Sequence, residues 1–548
     1  MPTDTSVTSH REGFVQFRPE FAAAYRAAGY WTGDSVGSLL RTTAERTPDA
    51  PAVLDGETVL SYADVARRAD RLAAGLLARG LRPGDRVMVQ LPNRAVFAEI
   101  FFGLLRAGVI PVMCLPAHRE AEIGHLAELS GAVGYVIADV VGGYDYRALA
   151  RTVQARVPAL THVLVVGDPG EFTALADVPR DPSGPLPEPD PADLALLLIS
   201  GGTTGLPKLI PRTHEDYVYN ARGSAAVCEL TADDVYLVTL PAAHNFPLAC
   251  PGILGTVVVG GSITFTEDPS PEAAFAAIER HKVTATALVP PLAQLWSVAT
   301  EWEEADLSSL RLVQVGGARL ADSNAPDVEA NLGARLQQVF GMAEGLLNYT
   351  RLDDPNELVF HTQGRPMSPH DEVRVVDEDG ADVPEGEAGE LLTRGPYTIR
   401  GYYRADAHNA RAFTTDGFYR SGDLVRRLPS GHLVVSGRIK DVINRAGENV
   451  ACDEVEDHLL AHPAIRHAAA VGLPDDALGE RICAVLVTDG GPVPSLVDLR
   501  TFLLDRGLAR FKLPDQVTGV DKLPVTAVGK IDKRALVATL SGQSAGTR

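Results

Sequence analysis

Short apolar runs of strand length alternate with helix-period stretches over roughly 400 residues, and this limits the fold to α/β layers on largely parallel sheets. The runs include Arg86–Gln90 (RVMVQ), Gly134–Ala138 (GYVIA), His162–Val166, Leu194–Ile199 and Val235–Leu240. Between them, Tyr62–Arg79 sets Val65, Ala69, Leu72, Ala73, Leu76 and Leu77 on one helical face. A chain of 548 residues needs more than one such unit, because domains usually hold ~100–200 residues. A second texture begins near Glu372, where VRVVDEDG, GELLTRG and HLVVSGR alternate between Gly- and Asp-containing turns, the pattern of a small β-rich unit. From Arg438 the chain reads as a compact final domain of about 110 residues, giving expected domains of 1–437 and 438–548. The Pro-rich, charged stretch Asp181–Asp193 is expected to be a surface linker between subdomains.

With 50 Lys+Arg against 71 Asp+Glu, the formal charge is −21, which argues against nucleic acid or anionic membranes as partners. Cys114, Cys228, Cys250, Cys452 and Cys483 lie far apart with no C-x-x-C, so neither a disulfide framework nor a zinc site is expected. The opening MPTDTSVTSHREGFVQFRPEF has no apolar core of a signal peptide, and a cytoplasmic location is expected. Val235–Thr266 carries no Asp, Glu, Lys or Arg and is long enough to span a bilayer. Pro241, Pro247, Pro251 and four glycines break it, so it reads as buried strand, helix, strand.

The strongest local signal is Ser200-Gly201-Gly202-Thr203-Thr204-Gly205-Leu206-Pro207-Lys208, directly after the apolar strand Leu194–Ile199. Glycines let backbone N–H groups turn inward around an anion, threonines add hydroxyl donors, and Lys208 adds a mobile positive charge. This is a phosphate cradle, although not the Walker loop, whose Lys and Ser/Thr follow its last Gly. Further along, Gln338–Glu344 is a strand entering a Gly turn with a carboxylate at its end, which near a triphosphate suits Mg²⁺. Tyr419–Asp423 sets an acid after a turn, suited to ribose hydroxyls. Gly437–Asp441 opens the last domain, and Val525–Ile531 carries Lys530 on a Gly-flanked loop near its end. A competing pattern, Gly33-Asp34-Ser35-Val36-Gly37, matches the G-x-S-x-G of hydrolases but lacks the preceding buried strand. Asp34 or Ser35 is instead expected to cap the helix through Leu39–Arg46.

In this order and spacing the motifs resemble those of the adenylate-forming superfamily of acyl-CoA synthetases, luciferases and peptide-synthetase adenylation domains. The resemblance covers essentially the whole chain. It implies a large N-terminal domain of two α/β subdomains plus a small β-barrel, and a mobile α+β C-terminal domain. It also implies two half-reactions: a carboxylate and ATP give acyl-AMP and pyrophosphate, then a thiol displaces AMP. By resemblance, Lys530 bridges the carboxylate and α-phosphate, Gly201–Lys208 cover the outgoing phosphates, and Glu344 holds Mg²⁺. Asp423 and Arg438 bind ribose, the backbone near Gly317 and Val339 flanks adenine, and Lys440 stands at the hinge, where many relatives carry Asp. Rotation there brings Arg445-Ala446-Gly447-Glu448 towards a thiol tunnel.

His244-Asn245-Phe246-Pro247-Leu248-Ala249-Cys250-Pro251-Gly252 follows a strand and opens a helix, with Phe246 and Cys250 expected on one face, or Cys250 equally as a small core residue. With Gly345–Tyr349 and Ile210–His214, this block resembles the aryl-acid AMP ligases of siderophore biosynthesis. The resemblance implies that His244 lies near the carboxylate and Asn245 meets the ortho-hydroxyl, with Phe246, Gly341 and Leu347 lining the ring. Relatives that use 2,3-dihydroxybenzoate carry Ser at Cys250 and Val at Leu347. A thiol is a poor partner for a 3-hydroxyl, and leaving one buried without a partner costs ~1–3 kcal/mol. The pattern therefore resembles salicylate-AMP ligases most, with 2,3-dihydroxybenzoate as the alternative acid. The chain ends soon after Lys530, so an aryl carrier protein or nonribosomal peptide synthetase is expected to act in trans. From Arg500 onward nine Lys/Arg face four Asp, a basic end suited to steering an acidic carrier. An aryl-CoA ligase using free coenzyme A and a catalytically silent nucleotide-binding protein are the competing classes.

Overall fold

The computed structural model describes residues 13–178, 184–200, 207–439, 442–445, 448–475, 478–506, 508–526 and 529–544. Two α/β sheets form the bulk of the molecule. One has seven strands in the order Leu209–Thr213, Leu194–Ile199, Ile110–Met113, Arg86–Gln90, Gly134–Ala138, His162–Val166, Thr173–Ala174. All its pairings are parallel except that of Leu194–Ile199 with Leu209–Thr213. The other has nine strands, with a parallel centre from Arg335–Met342 to Pro51–Asp55 and antiparallel pairs at both edges. Continuous apolar runs such as LALLLI are what a strand buried on both faces requires.

Helices Val36–Arg46, Tyr62–Ala78, Val96–Arg106, His214–Val227 and Gly252–Val259 share one core with strands of both sheets. Ser61 and Asp64 close a capping box at the start of Tyr62–Ala78, and Val65, Ala69, Leu72, Ala73 and Leu76 are buried as the periodicity predicts. Ser35 accepts from Ser38 N and caps Val36–Arg46, so the G-x-S-x-G serine is a helix cap. Asp181–Asp193, expected to join subdomains, lies between Thr173–Ala174 and Leu194–Ile199, two strands of the same sheet. Its composition signals exposure and says nothing of what it connects. Val235–Thr266 is strand, two short helices, strand, because Pro251 and Gly252 interrupt the helical stretch. Among the described residues no helix is long and apolar enough to cross a membrane. All five cysteines are buried as thiols.

The β-rich unit is a four-stranded antiparallel sheet, Glu372–Val376, Ala388–Arg394, Tyr419–Arg427, Leu433–Arg438. Beyond it, Val442–Arg445, Glu448–Ala451, Ile465–Asp475, Gly479–Thr488 and Gln516–Gly519 form a five-stranded sheet with its own cores. Arg319 of the large domain pairs with Asp457 on the C-terminal helix Cys452–Leu460, and Asp322 adds a 2.8 Å contact to Arg319. A cavity of about 620 Å³ beside this pair, lined by Arg426, Glu454, His458 and Arg506, leaves the contact between the domains loosely packed.

Candidate active site

The phosphate-loop neck is a hairpin. The ladder of Leu194–Ile199 with Leu209–Thr213 continues outward, Ser200 N donating to Lys208 O at 2.9 Å and Lys208 N to Ser200 Oγ at 3.0 Å. Gly201, Gly202, Thr203, Thr204 and Gly205 lie outside the described residues, as do Lys440 and Gly447. Lys208 Nζ lies 5.5 Å from the centre of the Tyr402 ring. Tyr402 Oη donates to Glu344 Oε1 at 2.6 Å and lies 2.9 Å from Tyr419 Oη. Burial, with the Glu344 carboxylate beside it, pushes the Tyr402 phenol far up, so it stays a donor. Among the described residues Glu344 Oε2 carries no hydrogen bond and remains available to a cation.

Glu344 is mounted firmly. Its carbonyl accepts from Ile399 N at 2.8 Å. The preceding carbonyl, of Ala343, accepts from Arg212 at 3.0 Å, and the same guanidinium reaches Tyr397 O at 3.2 Å and Asp216 Oδ1 at 2.8 Å. Arg212 is fully buried, and its bonds to Asp216 and Tyr397 are made away from water.

Opposite stands Gly317, at the end of the strand Leu312–Gly316, with φ +82°. A β-carbon there would come 3.6 Å from Lys530 Cε and 3.4 Å from Val289 Cγ1, ordinary contact distances, so it is the left-handed backbone that calls for glycine. Val339 pairs with Gly316 on the neighbouring strand. Lys530 arrives from the C-terminal domain on a tight turn: its N–H meets Thr526 Oγ1 at 3.2 Å, and its carbonyl accepts from Thr526 N at 2.6 Å. Asp423 and Arg438, paired across antiparallel strands, make a 2.8 Å ion pair. Burial and the Arg438 charge lower the Lys530 ammonium to about 8, against the opposing pull of Asp423 and Glu344. Lys530, Arg438, Asp423 and Glu344, far apart in sequence, thus lie within electrostatic reach of one another.

The residues that the resemblance assigns to the acid site have the following surroundings. His244 caps the helix Asn245–Ala249, its Nδ1 accepting from Phe246 N at 3.2 Å. Burial, reinforced by Lys530, lowers its imidazole to about 4, so at neutral pH it is uncharged with the proton on Nε2. The Phe246 ring packs over Gly316, where a β-carbon would come 3.0 Å from its edge. Gly341 and Leu347 are cross-strand partners, and a β-carbon on Gly341 would collide with Leu347 Cδ2 at 2.5 Å. Cys250 is the C-terminal cap of this five-residue helix, and its N–H donates to Phe246 O at 3.1 Å, one helical turn back. The Cys250 thiol turns to Asn245, accepting from Nδ2 and donating to the carbonyl, both at 3.4 Å, and burial pushes it up to about 12.

Sequence reading misses the supports behind these residues. Tyr217 bonds Asn245, Tyr402 and Tyr419 bond towards Glu344, and Arg212 holds Ala343. Leu347 N donates to Tyr397 Oη, which donates to the buried Asp371 at 2.5 Å. The one local signal was an Arg in a buried strand with Asp four residues on, Arg212 and Asp216.

The profile of the AMP-binding enzyme matches residues 40–403, and that of the AMP-binding enzyme C-terminal domain matches residues 454–530. The chain belongs to the AMP-binding enzyme family. It is 58% identical over 535 residues to the salicyl-AMP ligase / salicyl-S-ArCP synthetase of Mycobacterium tuberculosis, covering 96% of this chain and 94% of the relative. It is 52% identical over 530 residues to the 2,3-dihydroxybenzoate-AMP ligase of Bacillus subtilis, covering 97% and 98%. The apo structure of MbtA from Mycobacterium smegmatis, 58% identical, superposes with a TM-score of 0.76 over 97% of this chain and 99% of that one. This AMP-binding enzyme therefore has the adenylate-forming fold, an α/β N-terminal domain followed by a smaller C-terminal domain.

Proposed function

We propose that the protein is an aryl-acid adenylating ligase that converts salicylate and ATP to salicyl-AMP and pyrophosphate. It then passes the salicyl group to the phosphopantetheine thiol of an aryl carrier protein, as in siderophore assembly. The observation that carries this reading is the seating of Lys530 against Gly317, within electrostatic reach of Glu344, Asp423 and Arg438. A carboxylate oxygen attacks the α-phosphorus and pyrophosphate leaves, so negative charge builds where carboxylate and phosphate meet. Lys530 spans that point and neutralises both anions, and Lys208 with the Gly201–Gly205 backbone receives the departing phosphates. Asp423 accepts from the ribose hydroxyls with Arg438 beside it, and Gly317 and Val339 flank the adenine. His244, uncharged, donates from Nε2 near the acid without adding charge.

Among the described residues no group of three or more His, Cys, Asp or Glu could hold a metal. Glu344, with one oxygen held by Tyr402 and one open, suits Mg²⁺ bound by a single carboxylate together with substrate phosphates. When bound, the ion supplies charge neutralisation to the leaving pyrophosphate. For the second half-reaction, Lys440 is the hinge that withdraws Lys530 and turns Gly447 towards the incoming thiol. The thiolate then attacks the acyl carbon and AMP leaves with its bonding pair.

The names of the relatives at 58% and 52% identity support an ortho-hydroxylated benzoate, and Cys250 with Leu347 favours salicylate over 2,3-dihydroxybenzoate. ATP–pyrophosphate exchange with a panel of substituted benzoates tests this. Salicylate should give the highest kcat/KM, and preference for 2,3-dihydroxybenzoate or an aliphatic acid would overturn it. AMP release with a holo carrier protein compared with free coenzyme A identifies the acceptor.

A further inference from the structure

What an ortho substituent meets depends on which end of the Asn245 amide faces it. Asn245 Oδ1 accepts from Tyr217 Oη at 2.8 Å, and Nδ2 donates to Cys250 Sγ at 3.4 Å. An amide nitrogen carries two N–H bonds, and the second has no partner among the described residues. Tyr217 is itself fixed. It is fully buried on the helix His214–Val227, and the Arg212 guanidinium lies 4.7 Å from its ring centre, locked by Asp216 at 2.8 Å. Burial pushes the phenol far above its usual range, which keeps the hydroxyl a donor and the amide oxygen its acceptor.

We propose that Tyr217 is a positioning residue that sets the polarity of the ortho subsite. By holding Asn245 Oδ1 it turns the remaining N–H towards the ring, so the site takes an ortho acceptor and rejects an ortho donor. The inference rests on the reading that Asn245 meets the ortho substituent. In salicylate the phenolic O–H donates to the acid's own carboxylate, leaving oxygen lone pairs for an external N–H. In anthranilate the nitrogen lone pair is delocalised into the ring and a second N–H points outward, against the Asn245 N–H. An unsatisfied buried donor separates two such ligands by about ten- to a hundredfold.

The test is kcat/KM in ATP–pyrophosphate exchange for the parent, Tyr217→Phe, Asn245→Ala and the double variant, each with salicylate, anthranilate and benzoate. The parent should favour salicylate over anthranilate by at least about tenfold. Tyr217→Phe should lose about tenfold more with salicylate than with benzoate, and the salicylate-to-anthranilate preference should shrink in step. In the double variant Tyr217→Phe should leave the salicylate-to-benzoate ratio where Asn245→Ala put it, since a positioning residue has nothing left to position. Equal loss on all three acids would reduce Tyr217 to a packing role and overturn the proposal. So would an unchanged ratio in Tyr217→Phe while Asn245→Ala collapses it. If Asn245→Ala also leaves the salicylate-to-benzoate ratio intact, the failure lies with the ortho assignment of Asn245 itself. Should Tyr217→Phe not fold, Asn245→Asp serves instead. The carboxylate still accepts from Tyr217 but offers the ring only acceptors, so preference should move towards anthranilate, and an unchanged preference would overturn the proposal.

Discussion

Seating Lys530 against Gly317 has an electrostatic cost that should be visible in the pH dependence of adenylation. Burial and Arg438 bring its ammonium from 10.5 to about 8. At ~1.4 kcal/mol per pH unit, a charged Lys530 is disfavoured in the seated position by about 3 kcal/mol relative to water. Between pH 8 and 10.5 the withdrawn lysine binds more protons than the seated one, so seating becomes more favourable as pH rises, while the penalty applies in full below pH 8. Chemistry needs the opposite form, because only the ammonium neutralises the two anions. With acid and ATP bound, their negative charge restores the proton. The basic limb of kcat/KM, which reports the free enzyme, should therefore lie near pH 8, and that of kcat should lie at least ~1 pH unit higher. Exchange kinetics from about pH 6.5 to 9.5 at limiting and saturating acid give both limbs. The residual activity of Lys530→Ala should have no limb near 8. Coincident limbs in kcat and kcat/KM, or a limb that survives Lys530→Ala, would refute the argument.

Lys530→Ala should lower adenylation by about a hundredfold or more while sparing transfer from preformed salicyl-AMP, and equal loss in both half-reactions would contradict its role. Tyr402→Phe removes the bond that orients Glu344, so the Mg²⁺ concentration for half-maximal exchange should rise about tenfold with the KM for acid nearly constant. An unmoved Mg²⁺ requirement would separate Glu344 from the metal. Cys250→Ser should improve 2,3-dihydroxybenzoate relative to salicylate by ~1–2 kcal/mol in kcat/KM, and Leu347→Val should add to it, short of additivity. Unchanged ratios in both single variants and the double would show that neither side chain governs the ring.

Local chemistry made much of the molecule legible. The apolar face of Tyr62–Ala78 and the buried strand Leu194–Ile199 rest on neighbours in sequence, whereas Gly317 and Gly341 were singled out only by the resemblance. The partners that hold the site were not legible, because they are made by closure of the fold. Arg212 meets Ala343 across 131 positions, and Glu344 meets Tyr402 across 58. Nor does periodicity tell which sheet a strand joins: Pro51–Asp55 pairs with Ser262–Phe265, although the strands that follow it from Arg86–Gln90 to Leu209–Thr213 build the other sheet. The hydrogen bonds of the residues assigned to the acid pocket were not readable in the sequence. Cys250 was expected on the face of Phe246, and the structure gives its thiol hydrogen bonds to Asn245, Asn220 and Tyr349 that the sequence does not reveal.

The buried Arg212 divides the molecule by what is free to vary. It ties the strand leaving the expected phosphate loop to the carbonyls of Ala343 and Tyr397, which fixes the spacing between the exit of that loop and the Glu344 turn. On the proposed two-step reaction, loosening Arg212 should be felt in both half-reactions, whereas loosening the Arg319–Asp457 contact should change the balance between them. The same anchorage restrains the adjoining helix, where Asp216 and Tyr217 are neighbours: a substitution that retunes one disturbs the other. On the proposed reading, new acids should be more readily admitted by change at Cys250 and Leu347, on elements that Arg212 does not hold directly.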